Sequence, residues 1–178
     1  MRIRCRTEMP IRWRTIDTPV GPVVLASDEA DWITVEFVAL HASQPSGGED
    51  PALLPDAAAW LAACLVEPVG PPPIPIPAAT PFRRACWTAC RDIPIGQTRT
   101  YTELAAMAGN PSAARAAGSA MRTNPMPLIT PCHRVLAASG LGGYDGATCA
   151  ESRNLRLKRE LIEVERQIAG EAARNAPR

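Results

Sequence analysis

Thr100-Tyr-Thr-Glu103-Leu-Ala-Ala-Met-Ala108-Gly109-Asn110-Pro111-Ser-Ala-Ala-Arg115-Ala-Ala-Gly118-Ser-Ala-Met121 carries the punctuation of two short helices joined by a tight turn. Thr100 and Glu103 have the spacing of a capping box, in which each side chain satisfies the other residue's backbone amide. The first helix then runs through Ala108, and Gly109 ends it by accepting the left-handed conformation that side-chain-bearing residues avoid. Asn110 and Pro111 are expected to cap and start the second helix, which reaches about Met121. The pair reads as a helix-turn-helix, a shape found in nucleic-acid-binding and purely structural settings alike.

Working outward, Thr80-Pro81 supplies a cap and a first-turn proline, after which Phe82, Ala85, Cys86, Ala89 and Cys90 form one apolar stripe that stops before Pro94. Cys86 and Cys90 are therefore expected in the core. From Ala150 onward Leu157, Leu161, Val164 and Ile168 repeat at helical spacing, predicting a C-terminal helix that frays near Gly170. Upstream, seven prolines from Glu67 through Pro81, Pro81 included, exclude a helix or a central strand and make a stiff, extended connector. Before it, Asp56 to Leu65 places Trp60, Leu61, Cys64 and Leu65 on one helical face. Three β-branched runs, Ile11 to Thr15, Val23 to Ser27 and Ile33 to Val38, alternate with turn residues and read as a small sheet. The fold class expected is α+β: residues 1–79 form a sheet-and-helix domain ending in the connector, and residues 80–178 a mainly helical domain.

The composition is that of an ordinary globular chain, 46% hydrophobic and 21% charged over 178 residues. With 19 basic against 18 acidic side chains, contact with a polyanion has to come from a local patch. Eighteen of the basic residues are arginine, which suits phosphate recognition but also follows from a GC-rich coding bias, the reading preferred here. Six cysteines show no CxxC pair, and neither a signal peptide nor an apolar run of spanning length is visible. An intracellular protein with reduced thiols is expected, cytoplasmic, or nuclear in a eukaryote.

Pro131-Cys132-His133-Arg134-Val135 sets a thiol beside one of only two histidines. A thiol reacts as its thiolate, which is a minor form near neutrality, so a base must take its proton. His133 is the nearest candidate. Neighbouring side chains on an extended segment point to opposite sides, so the imidazole needs a bend or a bridging water to reach the sulfur, and Pro131 favours the bend.

These residues together, with Tyr101 to Pro125, Ser139-Gly140-Leu-Gly-Gly-Tyr144-Asp145-Gly146 and the later Lys158, Leu161, Ile162 and Glu165, closely resemble the O6-alkylguanine-DNA alkyltransferase family. The match is dense from about Thr80 to Gly146. It is weaker in Ile16-Asp-Thr-Pro-Val-Gly-Pro-Val-Val-Leu25, which looks like the family's first strand and turn. The resemblance implies single-turnover repair: an alkyl group passes from O6-alkylguanine in DNA, with O4-alkylthymine as a second candidate substrate, to Cys132. It implies no cofactor, a partner in double-stranded DNA, no membrane, and a monomer in solution. Some members carry a structural zinc, but before the connector this chain offers only Cys5, Cys64 and His41, so no metal is expected.

The second helix of the pair is made of small residues, Ala113, Ala114, Ala116, Ala117 and Gly118, around Arg115. So little bulk could press into a minor groove about 6 Å wide while the arginine enters the base stack. Tight packing on a neighbouring helix is the competing reading. The resemblance gives Arg115 the place of an extruded nucleotide, adds Arg122 to the DNA face, and gives Tyr101 the task of crowding the phosphate and bonding a ring nitrogen. It assigns Met121, Pro127 and Val135 to the pocket walls, the Tyr144-Asp145-Gly146 loop to the O6 side, and Asn124 to tying the turn before the active-site strand. The carboxylate behind His133 should be Glu165, although the Lys158-x-x-Leu161-Ile162-x-x-Glu165 pattern falls seven residues later than usual. Glu160 and Glu163 remain rivals; Glu163 lies about 200° around the helix from Glu165. The extra residues read as a helix extended at its start from Cys149, in preference to a larger loop. Three other readings stand beside this one: a relative that flags alkylguanine without repairing it, which would lack the cysteine; a helix-turn-helix regulator; and a cysteine hydrolase, for which no oxyanion-hole signature is visible.

Overall fold

The computed structural model describes residues 10–28, 33–40, 46–143 and 152–175, and it is α+β. Strands β1 (Arg12–Ile16), β2 (Val23–Ser27) and β3 (Ile33–Phe37) form an antiparallel meander, with Trp13 opposite Ala26 and Leu25 opposite Val35. A two-residue strand, β4 (Gly48–Glu49), adds in parallel to β1, giving the order β3-β2-β1-β4. Side chains alternate across a strand. Val23, Leu25, Val35 and Phe37 therefore face the main core, while Trp13, Val24 and Ala26 form a small cluster on the reverse face.

Helix α1 (Pro55–Ala63) follows and buries Leu61, with Cys64 and Leu65 just beyond it. The proline-rich segment has no helix or strand, as expected, yet it is tied down on both sides. The Trp60 indole donates to the Gly70 carbonyl at 2.8 Å, and Arg91 donates to the carbonyl of Ile74 at 2.6 Å.

Helix α2 (Pro81–Arg91) buries Cys86 and Cys90 completely, together with Trp87, whose indole reaches the Ala120 carbonyl at 3.0 Å. Helix α3 (Tyr101–Met107) begins on the expected capping box: Glu103 N donates to Thr100 Oγ1 at 3.1 Å, and Thr100 N to Glu103 Oε2 at 2.6 Å. Gly109 ends the turn at φ +85°. Helix α4 (Ala114–Arg122) starts later than its sequence suggests. Asn110 Oδ1 takes the Ser112 hydroxyl at 2.8 Å, and the 110–113 segment becomes a turn of its own.

Beyond α4 the chain crosses to a single 3-10 turn at Cys132–Arg134, then to β6 (Val135–Leu136), which pairs in parallel with β5 (Arg99–Thr100). Helix α5 (Arg153–Asn175) closes the fold, with Ser152 Oγ accepting from Leu155 N at 3.3 Å. It continues through Gly170, where fraying was expected. The start of the extended helix expected at Cys149 lies outside the described residues. One continuous apolar cluster runs from the sheet through α1, α2, α3 and α4 to Leu161 of α5. Among the described residues, no helix is long and apolar enough to cross a membrane.

Candidate active site

Pro131 and the 3-10 turn supply the bend that the Cys132-His133 pair requires. Cys132 N donates to the Thr130 carbonyl at 2.8 Å, and Arg134 N to that of Pro131 at 2.9 Å. The turn is held from just beyond α4 by Asn124: its Nδ2 donates to the same Thr130 carbonyl at 2.8 Å, while its Oδ1 accepts from Met126 N at 3.1 Å. Between them Leu128 sits at φ +70°, a left-handed conformation that costs a branched side chain about 1–3 kcal/mol and persists only where its surroundings impose it.

His133 is fully buried, and its Nε2 lies 2.9 Å from Glu165 Oε1 on α5. Arg134 grips the same carboxylate, with Nη2 2.7 Å from Oε1 and Nε 2.8 Å from Oε2, and its Nη1 donates to the Ile93 carbonyl. Burial would raise the Glu165 pKa, but the His133 ring and the Arg134 guanidinium outweigh it and hold it at about 2. The carboxylate is thus ionised throughout the useful range and accepts the Nε2 proton. That fixes the ring as the tautomer whose Nδ1 carries a lone pair. Nδ1 is buried and has no hydrogen-bond partner among the described residues. It is the one base in the cluster free to take a proton. Glu160 and Glu163 are exposed on other sides of α5, and Glu163 accepts from Gln167 at 3.4 Å.

Lys158, the chain's single lysine, is also fully buried. Its Nζ donates to the carbonyls of Val135 at 2.7 Å, Leu141 at 2.8 Å and Gly143 at 3.0 Å, pinning the loop that leads toward Tyr144. Burial lowers its pKa to about 8, and the Cys132 thiolate opposes part of that drop.

The half-buried Tyr101 ring packs between α4 and this loop. A methyl built on Gly118 would lie 3.8 Å from it and one on Gly142 3.5 Å. Burial raises its hydroxyl's pKa, helped by the fields of Cys132 and Cys90. Met121 and Val135 are buried and Pro127 is half-buried. On α4, Arg115, Ala116 and Arg122 are exposed, and Ala113, Ala114 and Gly118 are partly so. Ala117 is a correction: its methyl is wholly in the core, so it belongs to helix packing and not to an outward face. Tyr144, Asp145, Gly146, Cys5 and His41 lie outside the described residues.

A family model for the 6-O-methylguanine DNA methyltransferase DNA-binding domain matches residues 81–167, from the start of α2 to the last part of α5. The methylated-DNA--protein-cysteine methyltransferase of Mycobacterium tuberculosis strain H37Rv is 35% identical over 163 residues, covering 89% of this chain and 94% of that protein. The chain belongs to the 6-O-methylguanine DNA methyltransferase family. A relative of the same name from Methanosarcina acetivorans is 34% identical over 84% of this chain and 94% of its own length. The crystal structure of Mycobacterium tuberculosis OGT in complex with DNA superposes with a TM-score of 0.71 at 33% identity, over 88% of this chain and 94% of that one.

In this member of the methyltransferase family, sequence reasoning missed Arg134 as a second partner of the Glu165 carboxylate beside His133. The signal was there: Arg134 directly follows His133, and a buried carboxylate flanked by two basic groups recruits both. It also missed Trp87, which carries a polar handle on the buried face of α2. Nothing in its spacing announces the Ala120 carbonyl as its partner.

Proposed function

We propose that this chain repairs DNA by a single direct transfer of an alkyl group from O6-alkylguanine, with O4-alkylthymine as a second candidate, to Cys132. The observation that carries the reading is the buried Cys132-His133-Glu165 cluster. Glu165 holds the Nε2 proton and leaves Nδ1 to receive the thiol proton, directly or through a water. The Lys158 ammonium favours the resulting thiolate by the same attraction that supports its own charge. The sulfur attacks the alkyl carbon, the carbon–oxygen bond breaks, and its electron pair leaves with guanine. The guanine ring nitrogen takes a proton from the Tyr101 hydroxyl, and the proton left on His133 returns through water to the tyrosine, so both side chains end neutral. The thioether is stable, so each molecule acts once and no cofactor enters.

Double-stranded DNA is the partner. Arg115 fills the space of the flipped nucleotide, while Ala113, Ala114, Ala116 and Gly118 allow close approach and Arg122 meets the phosphates. Met121, Pro127 and Val135 wall the pocket and Tyr144, Asp145 and Gly146 close its O6 side. The chain works as a monomer in the compartment that holds DNA, with residues 1–79 and 80–178 as its two domains. Duplex DNA labelled in the methyl group of O6-methylguanine tests this. One equivalent of label bound to protein is the expected result, and label released to solution would mean hydrolysis instead.

A further inference from the structure

The loop between α4 and the reactive turn is held from outside the helical half as well as from within it. The Pro125 carbonyl accepts two hydrogen bonds from the sheet, from Val35 N at 3.0 Å and from Thr34 Oγ1 at 2.7 Å. Both donors belong to β3, the edge strand next to the helical half, whose outward amides have no strand partner among the described residues. Two donors occupy both lone pairs of that oxygen. Thr34 is only 5% exposed, so its hydroxyl is committed to this contact. Beyond the strand, the Ala39 carbonyl accepts from Arg153 Nη1 at 2.6 Å, at the first residue of α5. One strand and its continuation are thus bonded both to the loop entering Cys132 and to the start of the helix that bears Glu165.

The loop needs such a brace. Pro125 has no amide to donate, and Leu128 holds a left-handed φ of +70° that the segment would relax from if released. From Pro125 the linkage runs without a break: Asn124 beside it ties the Thr130 carbonyl, which also receives the Cys132 amide.

We propose that Thr34 is a positioning residue for alkyl transfer: through the Pro125 carbonyl, the sheet's edge strand sets where the Cys132 sulfur stands relative to His133. It touches neither substrate nor the reacting atoms. The sheet thereby takes part in the reaction without lending a residue to the site. The inference rests on the transfer reading above.

The test compares Thr34→Val, which keeps the shape and β preference but loses the hydroxyl, with Thr34→Ser, which restores it. Single-turnover transfer is measured with free O6-benzylguanine and with methylated duplex across pH, beside duplex affinity and thermal unfolding. Loss of one hydrogen bond at the brace should slow Thr34→Val about fivefold on both substrates, the rate equivalent of about 1 kcal/mol. The pH profile should move upward, because a displaced thiol ionises with less help from His133. Duplex affinity should not change, and Thr34→Ser should recover most of the rate. The Val35 amide remains in every variant, so the fold is expected to survive; if Thr34→Val does not fold, Thr34→Ala takes its place with the same expectation. A lowered melting temperature with unchanged rate and pH profile would overturn the proposal and make Thr34 a packing residue. Slow transfer that Thr34→Ser fails to rescue would overturn it too. Absence of transfer by the unmodified chain would overturn the functional reading, and this inference with it.

Discussion

Among the described residues, the buried polar residues of the sheet side are the hydroxyls Ser27 and Thr34, beside the Trp13 indole N–H and the Arg14 Nε, whereas the helical side buries His133, Lys158 and Glu165 as well as Thr130. A buried hydroxyl is satisfied by one carbonyl at modest cost. A buried charge is costly unless it is paired and hydrogen-bonded. Each of the three ionisable groups is hydrogen-bonded: Glu165 lies between the His133 ring and the Arg134 guanidinium, and Lys158 lies under three carbonyls. Such an arrangement adds little stability over an apolar core, which places its value in chemistry. The two sides differ in what their burial is for.

Cys132→Ala should cut hardest into that contrast. It removes the acceptor sulfur and should abolish transfer, while duplex affinity, dominated by phosphate contacts, stays within about twofold. Measurable transfer to Cys64, Cys86 or Cys90 in this variant would break the distinction. Cys64 and Cys90 should stay inert, because burial pushes the first thiol to about 12 and the second well above its usual value.

Arg115→Ala separates recognition from chemistry within the helical side. Flipping a base costs a few kcal/mol and only the duplex demands it, so repair of duplex should slow by about thirtyfold and reaction with free O6-benzylguanine by less than about twofold. Equal losses in single-turnover assays would move Arg115 from the DNA face into the pocket or the fold.

Much of this was legible in the sequence, and the failures have physical causes. The α3 capping box, the strand β2 and the broken connector follow from local chemistry, and each appears where its residues require it. The pairings of β4, and of β5 with β6, are two residues long and have no period to read. The start of α4 was misplaced because Asn110 spends its side chain on Ser112. Helix α5 passes Gly170 because a single glycine lowers helix propensity by only about 1 kcal/mol against its neighbours. Within the site, Glu165 was implied by the family resemblance with Glu160 and Glu163 as rivals, and only the folded contacts bring it to His133; the second grip by Arg134 and the brace from Thr34 likewise depend on contacts far apart in the chain.

Acid sharpens the comparison further. The Glu165 pKa is depressed to about 2, so its contribution to stability is complete above the ordinary carboxylate range and is lost as pH falls toward that value. Denaturant titrations between about pH 5 and 2 should show a steeper loss for the unmodified chain than for Glu165→Gln. Parallel curves would mean that the carboxylate is not held as described.

The smallest expected effect is alkaline and local. A neutral amine has only two N–H groups, so above about pH 8 Lys158 cannot donate to Val135, Leu141 and Gly143 together. Amide exchange over residues 136–143, normalised to intrinsic rates, should lose protection from pH 7 to about 9. Global stability responds in the opposite sense: the unfolded chain keeps this proton longer, so the contribution of Lys158 rises from about pH 8 to the ordinary lysine range. Unchanged local protection would show that fewer than three carbonyls depend on the ammonium.

The central claim is that the buried His133-Glu165 pair activates Cys132, and single-turnover transfer to free O6-benzylguanine by Glu165→Gln, Glu163→Gln, Glu160→Gln and His133→Phe tests it most directly. Glu165→Gln and His133→Phe should each slow transfer by about a hundredfold and move its pH dependence upward, the range expected when a positioned base is lost. Glu163→Gln and Glu160→Gln, both exposed, should match the unmodified chain. Either of these two slowing the reaction as much as Glu165→Gln, or His133→Phe leaving rate and pH profile unchanged, would contradict the account.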